Sequence, residues 1–212
     1  MVVVDNLKVV SVKTTETKAG SIIRIGLSGG ALFSLNPVYL PHPFRDEDYF
    51  FPGRELGPEE AAALRFAADC FRAERAGLRL AARAEQTRAN LSRKLEQRGH
   101  GAACIKAAVA YLTEIEIVDD RRFAERWIQS RLYRGTDSPF RLINGLCQRG
   151  INRDVAQAAC KSALDFERET ELLRKFTAKR YPAANPADQF FKGQLKREGF
   201  SSRALEWYGE EN

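Results

Sequence analysis

Three times along the chain a large apolar residue is followed four positions on by a leucine, and after four more by a glycine. The sets are Leu91, Leu95 and Gly99; Leu142, Leu146 and Gly150; Phe191, Leu195 and Gly199. Residues four apart share one helical face, so each set predicts a short helix with one buried edge. Glycine takes the left-handed backbone just past a helix end, and the next residue folds back over the leucine, as in a Schellman stop. That residue is Ile151 in the second copy and Phe200 in the third, but the less apolar His100 in the first.

Another short helical run follows each stop, with Asn152 and Ser201 as natural N-caps for the second and third. A longer amphipathic run precedes each, around residues 58–85, 120–134 and 165–181. The unit is therefore three helices in about 50 residues, and such units stack on their neighbours into arrays with long binding surfaces. The first 40 or so residues read differently. LKVVSVKTT, SIIRIGL and ALFSL are short β-prone runs separated by Gly-containing turns, which predicts a small antiparallel meander. The expected fold is mainly α: three tandem three-helix repeats forming an elongated curved array, preceded by a small antiparallel β region. The boundaries are 1–57 for the β-rich extension and connector, then 58–115, 116–164 and 165–212 for the repeats. The change of composition near PHPFRDEDYFFPG further predicts that the β region is dispensable for folding of the helices.

Charge sharpens the division. Residues 1–60 carry six Lys or Arg and eight Asp or Glu, leaving 28 basic and 20 acidic side chains for the remainder. Arginine dominates the basic part, which suits phosphate or bidentate carboxylate contacts. Arg88, Arg93, Lys94 and Arg98 line the first repeat. Arg121, Arg122, Arg126, Arg131, Arg134, Arg141 and Arg149 crowd the second, with Tyr133 beside them. These twelve residues are the expected contacts to a partner or to nucleic acid; a solvated surface of internal ion pairs is the bland alternative. No helix signature for reading bases accompanies them.

Catalytic chemistry is not expected. The chain has no Ser elbow, HExxH or Walker A pattern, and its four cysteines lack CxxC spacing, so neither metal nor cofactor is expected. The acidic pair Asp119 and Asp120 reads as helix capping, with Asp120 at the cap itself. No apolar run reaches membrane-spanning length, and the start lacks a secretory pattern; the expected location is the cytoplasm.

The second repeat resembles the RecX family, regulators of the RecA recombinase. The similarity rests on Asp119, Asp120, Phe123, Ala124, Ser130, Arg131, Gly135, Leu142, Leu146, Gly150 and Ile151. The chain departs from the family pattern at Gly135-Thr136-Asp137-Ser138-Pro139, where a second glycine is lost, and in the first repeat, which keeps Arg83 and Leu91 but loses a Ser and a Glu. The resemblance implies three tandem three-helix repeats and a monomeric modulator of DNA repair, recombination and the SOS response. Such a modulator lodges in the groove of the RecA–single-stranded-DNA filament and mostly inhibits ATP hydrolysis and strand exchange. The competing expectation is a helical module that binds DNA independently of sequence, without a recombinase partner.

Overall fold

The computed structural model describes residues 7–17, 20–46, 48–185 and 188–211. Among these, four strands precede nine α-helices: β1 (Leu7–Thr17), β2 (Gly20–Leu27), β3 (Leu32–Leu35), β4 (Glu55–Leu56), then α1 (Pro58–Arg83), α2 (Arg88–Glu96), α3 (Ala102–Glu114), α4 (Asp120–Arg134), α5 (Pro139–Cys147), α6 (Arg153–Ala163), α7 (Phe166–Arg180), α8 (Gln189–Arg197) and α9 (Ser202–Glu211). The chain divides into two compact units, residues 1–118 and 119–212. No helix among the described residues is long and apolar enough to cross a membrane.

In the first unit the sheet is antiparallel with order β3-β2-β1-β4. The meander is as the β-prone runs and their turns predict, but β4 pairs with only Leu7 and Lys8 of β1 and is too short to stand out in the sequence. The sheet shares its core with the helices. Val9, Ile23, Ile25, Leu27 and Leu35 share one buried cluster with Leu64, Ala67, Cys70 and Phe71 of α1 and with Cys104 and Ala108 of α3. The second half of α1 turns instead to its own repeat, where Ala76 and Leu80 pack with Leu91, Leu95, Ile105, Val109 and Leu112. One 26-residue helix thus serves two cores. Its start is tied to the connector through Glu60, whose carboxylate accepts from Gly57 N and from the Tyr49 hydroxyl at 2.6 Å each, and from Arg54 at 2.7 Å.

Where sheet and helix meet, Glu74 of α1 is buried and accepts a 3.2 Å hydrogen bond from Asn36 Nδ2. Burial pushes its carboxyl above the ordinary range, against that hydrogen bond and the charge of Arg75. An acid whose folded pKa is raised contributes stability below its unfolded pKa, and the contribution is lost as pH rises through the folded value. Glu74→Gln, which keeps an acceptor for Asn36, is therefore expected to melt higher than wild type at neutral pH, with the gain shrinking in mild acid. Thermal melts of both chains against pH check this; a constant difference would show that Glu74 ionises as freely folded as unfolded.

The three glycine stops have one geometry. Gly99, Gly150 and Gly199 have φ of 79°, 80° and 90°. In each, the residue after the glycine donates to the carbonyl of the leucine: His100 to Leu95 at 3.3 Å, Ile151 to Leu146 at 3.2 Å and Phe200 to Leu195 at 3.3 Å. The glycine N–H donates one turn back in the same copies, at 2.8, 2.9 and 3.0 Å. This is the Schellman pairing, and it satisfies carbonyls that the helix end leaves open.

The second unit holds two three-helix clusters. Ala124, Ile128, Leu142, Leu146 and Ile151 form one with the small residues of α6. Leu173, Phe176, Phe191, Leu195 and Phe200 anchor the other. Leu132 and Leu164 pack against both. A polar joint reinforces them. Ser138, fully buried, caps α5 and bonds the Glu198 carboxylate, while Phe140 N donates to Glu198 O at 2.9 Å. Caps elsewhere agree with the sequence at Asn152 and Ser201, whose side chains accept at 2.7 and 3.2 Å. They differ by one residue at α4. Asp119, not Asp120, is the cap, accepting from Arg121 N at 2.8 Å and Arg122 N at 3.1 Å; Asp120 is the first helical residue and is buried.

Candidate nucleoprotein-binding face of the second repeat

Two arginines of the second repeat, Arg131 and Arg149, converge on one ring. Trp127 comes from the middle of α4 and packs against α5 at Gly145, where an added Cβ would stand 2.6 Å from the indole. Only a residue without a side chain lets the ring approach so closely. The guanidinium of Arg149 lies 4.8 Å from the Trp127 ring centroid and that of Arg131 5.6 Å, both within cation–π range. Arg149 Nη1 also donates to Gly145 O at 2.7 Å, which fixes the fork over the end of α5. Arg131 reaches from the last turn of α4 to Asp137, with Nε donating to Oδ2 at 2.7 Å. Arg141 stands 3.9 Å from Glu198. Together with Asn144 and Gln148 they line an open hollow of about 400 Å³.

These ion pairs are exposed and contribute little to folding; pairs of this kind are worth ~0–1 kcal/mol. Their carboxylates can be exchanged for those of a partner, or for phosphates, at small cost. Arg forks held by a ring and a backbone carbonyl lose less freedom on binding than free side chains do. Tyr133, 91% exposed at the end of α4, adds an amphipathic ring at the rim.

Other expected contacts fall differently. Arg121 is exposed and paired with Glu125 at 3.1 Å on the first turns of α4. Arg122 and Arg126 follow it on the same helix. The side chain of Arg134 lies outside the described residues. Arg88, Arg93, Lys94 and Arg98 belong to the first unit, on and just after α2. There Arg93 donates to Asn90 at 2.8 Å, Lys94 to Gln86 at 2.8 Å, and Arg98 to its neighbour carbonyl Lys94 O at 3.0 Å. Trp127, Asp137 and Asn144 were not among the expected site residues. The signal for Trp127 was available: a tryptophan four positions before an arginine on one helix.

No group of His, Cys, Asp or Glu among the described residues is arranged to hold a metal ion. Burial raises the thiols of Cys70 and Cys160, the latter to about 11. A thiol so raised stays protonated near neutral pH and is a poor nucleophile.

Residues 119–159, which carry this face, match the family described as RecX, second three-helix domain. The regulatory protein RecX of Halorhodospira halophila is 35% identical over 132 residues, covering 60% of this chain and 80% of that protein. That of Mycobacterium sp. (strain JLS) is 32% identical over 176 residues, covering 78% and 90%. The chain belongs to the RecX family. Two solved RecX structures share its fold. One superposes with a TM-score of 0.70 at 21% identity over 96% of this chain and 99% of its own. That of RecX from Lactobacillus salivarius reaches 0.55 at 20% identity over 68% and 97%. The broad coverage of the first takes in the sheet as well as the helices. RecX proteins are named as regulatory proteins.

Proposed function

We propose that this chain regulates homologous recombination by lodging in the groove of the RecA–single-stranded-DNA filament, lowering ATP hydrolysis and strand exchange. One observation carries the reading: the segment that matches the family, 119–159, is the segment in which Arg131, Arg141 and Arg149 are gathered about Trp127. A filament groove presents acidic protein side chains and DNA phosphates at a fixed repeat. A face of guanidinium forks accepts both. The chain acts as a monomer in the cytoplasm, with the arginines as the principal contacts and Tyr133 at their edge.

The test is the steady-state rate of ATP hydrolysis by the cognate RecA on single-stranded DNA. Arg131→Ala/Arg134→Ala is expected to fold, since the Arg131–Asp137 pair is exposed. Truncating arginines at a buried contact costs ~2 kcal/mol or more, so roughly 30-fold more of the variant is needed for equal suppression. Suppression by the folded double variant at wild-type concentrations would sink the assignment of these residues.

A further inference from the structure

The longest helix of the first unit carries a second basic array. Arg65, Arg72 and Arg79 of α1 are spaced by successive heptads and so lie along one face, spanning about 21 Å at 1.5 Å per residue. Arg75 stands between the last two. All four are exposed, and together with β3 of the sheet edge they line a groove of about 760 Å³. Asp69 is the one carboxylate lining it and is engaged by Arg72. Among the described residues, Arg65, Arg75 and Arg79 have no carboxylate within ion-pair distance. The opposite wall is apolar: Leu32 is 66% exposed and Phe33 half-buried beside it. His100 closes one end, and burial with the charges of Arg72, Arg98 and Arg79 holds its imidazole below the ordinary range, as expected where the potential is positive.

We propose that this α1–β3 groove binds the backbone of single-stranded nucleic acid, independently of sequence. Evenly placed guanidinium forks match a chain of phosphates, which repeats at regular spacing, better than they match an irregular acidic peptide. The apolar wall at Leu32 and Phe33 offers unstacked bases a surface to lie on, as binders of single strands do, whereas a duplex keeps its base faces hidden. The site shares no residue with the Trp127 face and does not rest on the regulatory reading. A recombinase-free assay separates the two.

The experiment is fluorescence anisotropy of a labelled oligothymidylate with the full chain alone, across a salt titration. Arg65→Gln/Arg79→Gln is expected to weaken binding about tenfold and to lower the log–log salt slope by about 1.4, the value for two lost phosphate contacts. Arg65→Lys/Arg79→Lys, which keeps the charge, is expected to restore the slope. Its melt and that of the Gln pair guard against a folding defect, because the restored slope requires intact folding and the same positions. The proposal is overturned if wild type fails to bind, if the folded Gln pair binds with unchanged affinity and slope, or if a hairpin duplex binds more tightly than the oligothymidylate.

Discussion

Removal of residues 1–56 is expected to unfold the first unit while leaving α4–α9 protected. The cut takes away Val9, Ile25, Leu27, Leu35, Leu40, Phe44 and Phe50, all buried, and uncovers Leu64, Ala67 and Phe71 on α1. Each large apolar side chain is worth ~1.5–3 kcal/mol when fully buried. The loss of so many is as large as the ~5–15 kcal/mol that holds a typical domain together. The capping of α1 suffers as well, because the Tyr49 and Arg54 groups that hold Glu60 are deleted. Amide hydrogen exchange on the truncated chain is the decisive measurement, since it reads α1 separately from the helices of the second unit. Peptides of α1 exchanging as slowly as in the full chain would show that α1–α3 stand without the sheet.

The next largest effect is expected from a single side chain at Gly199. Valine in left-handed backbone is strained by ~1–2 kcal/mol. At Gly199 the new Cβ would also stand 3.0 Å from Phe140 N and 3.2 Å from Pro139 Cβ. Neither neighbour can give way. Phe140 N is bonded to Glu198 O, and Pro139 opens α5 behind its buried Ser138 cap. Overpacking adds ~1–3 kcal/mol, so Gly199→Val should lose about 3 kcal/mol and melt roughly 10 °C lower. Gly99→Val is the internal control. Its φ is 79°, but open space surrounds the added atom, so strain alone applies. Thermal melts of the two variants compare them directly; equal losses would mean that the contact between α8 and the start of α5 relaxes freely.

The helices were legible because each stop combines three independent signals: apolar spacing of four, a glycine, and a residue that folds back. All three copies keep that geometry, even the first, where His100 takes the place of an apolar residue. Strands β1 to β3 were legible from their β-branched text and turns. β4 was not, since two residues carry no period. The union of sheet and α1 was hidden for a different reason. The contact face of α1 sets the small Ala67, Cys70 and Ala73 among Leu64 and Phe71, and such small residues permit close approach but resemble ordinary helix-forming text. A shift of composition and charge at the connector then suggested a boundary in folding where the structure has a shared core.

The candidate site was legible as a list of arginines and not as an arrangement. Sequence placed Arg131, Arg141 and Arg149 in one repeat, but the organising group is Trp127, and its approach depends on Gly145, eighteen residues away. The α1 arginines do not stand out in the sequence, because heptad-spaced charge on a long helix reads as a solvated face. Only the apolar wall contributed by β3, from another part of the chain, turns that face into a groove.

The seating of Trp127 within cation–π range of two guanidinium groups has a spectroscopic consequence. The chain has two tryptophans, and the other, Trp207, is stacked by Arg174 at 4.5 Å in the third repeat. With Trp207 replaced by phenylalanine, the remaining indole becomes a lone emitter at the centre of the arginine face. An anion that draws Arg131 or Arg149 off the ring changes the charge above its π cloud, and with it the wavelength and yield of its fluorescence. Trp127 in that variant would thus report on the proposed contact without a label, fast enough to follow binding in real time.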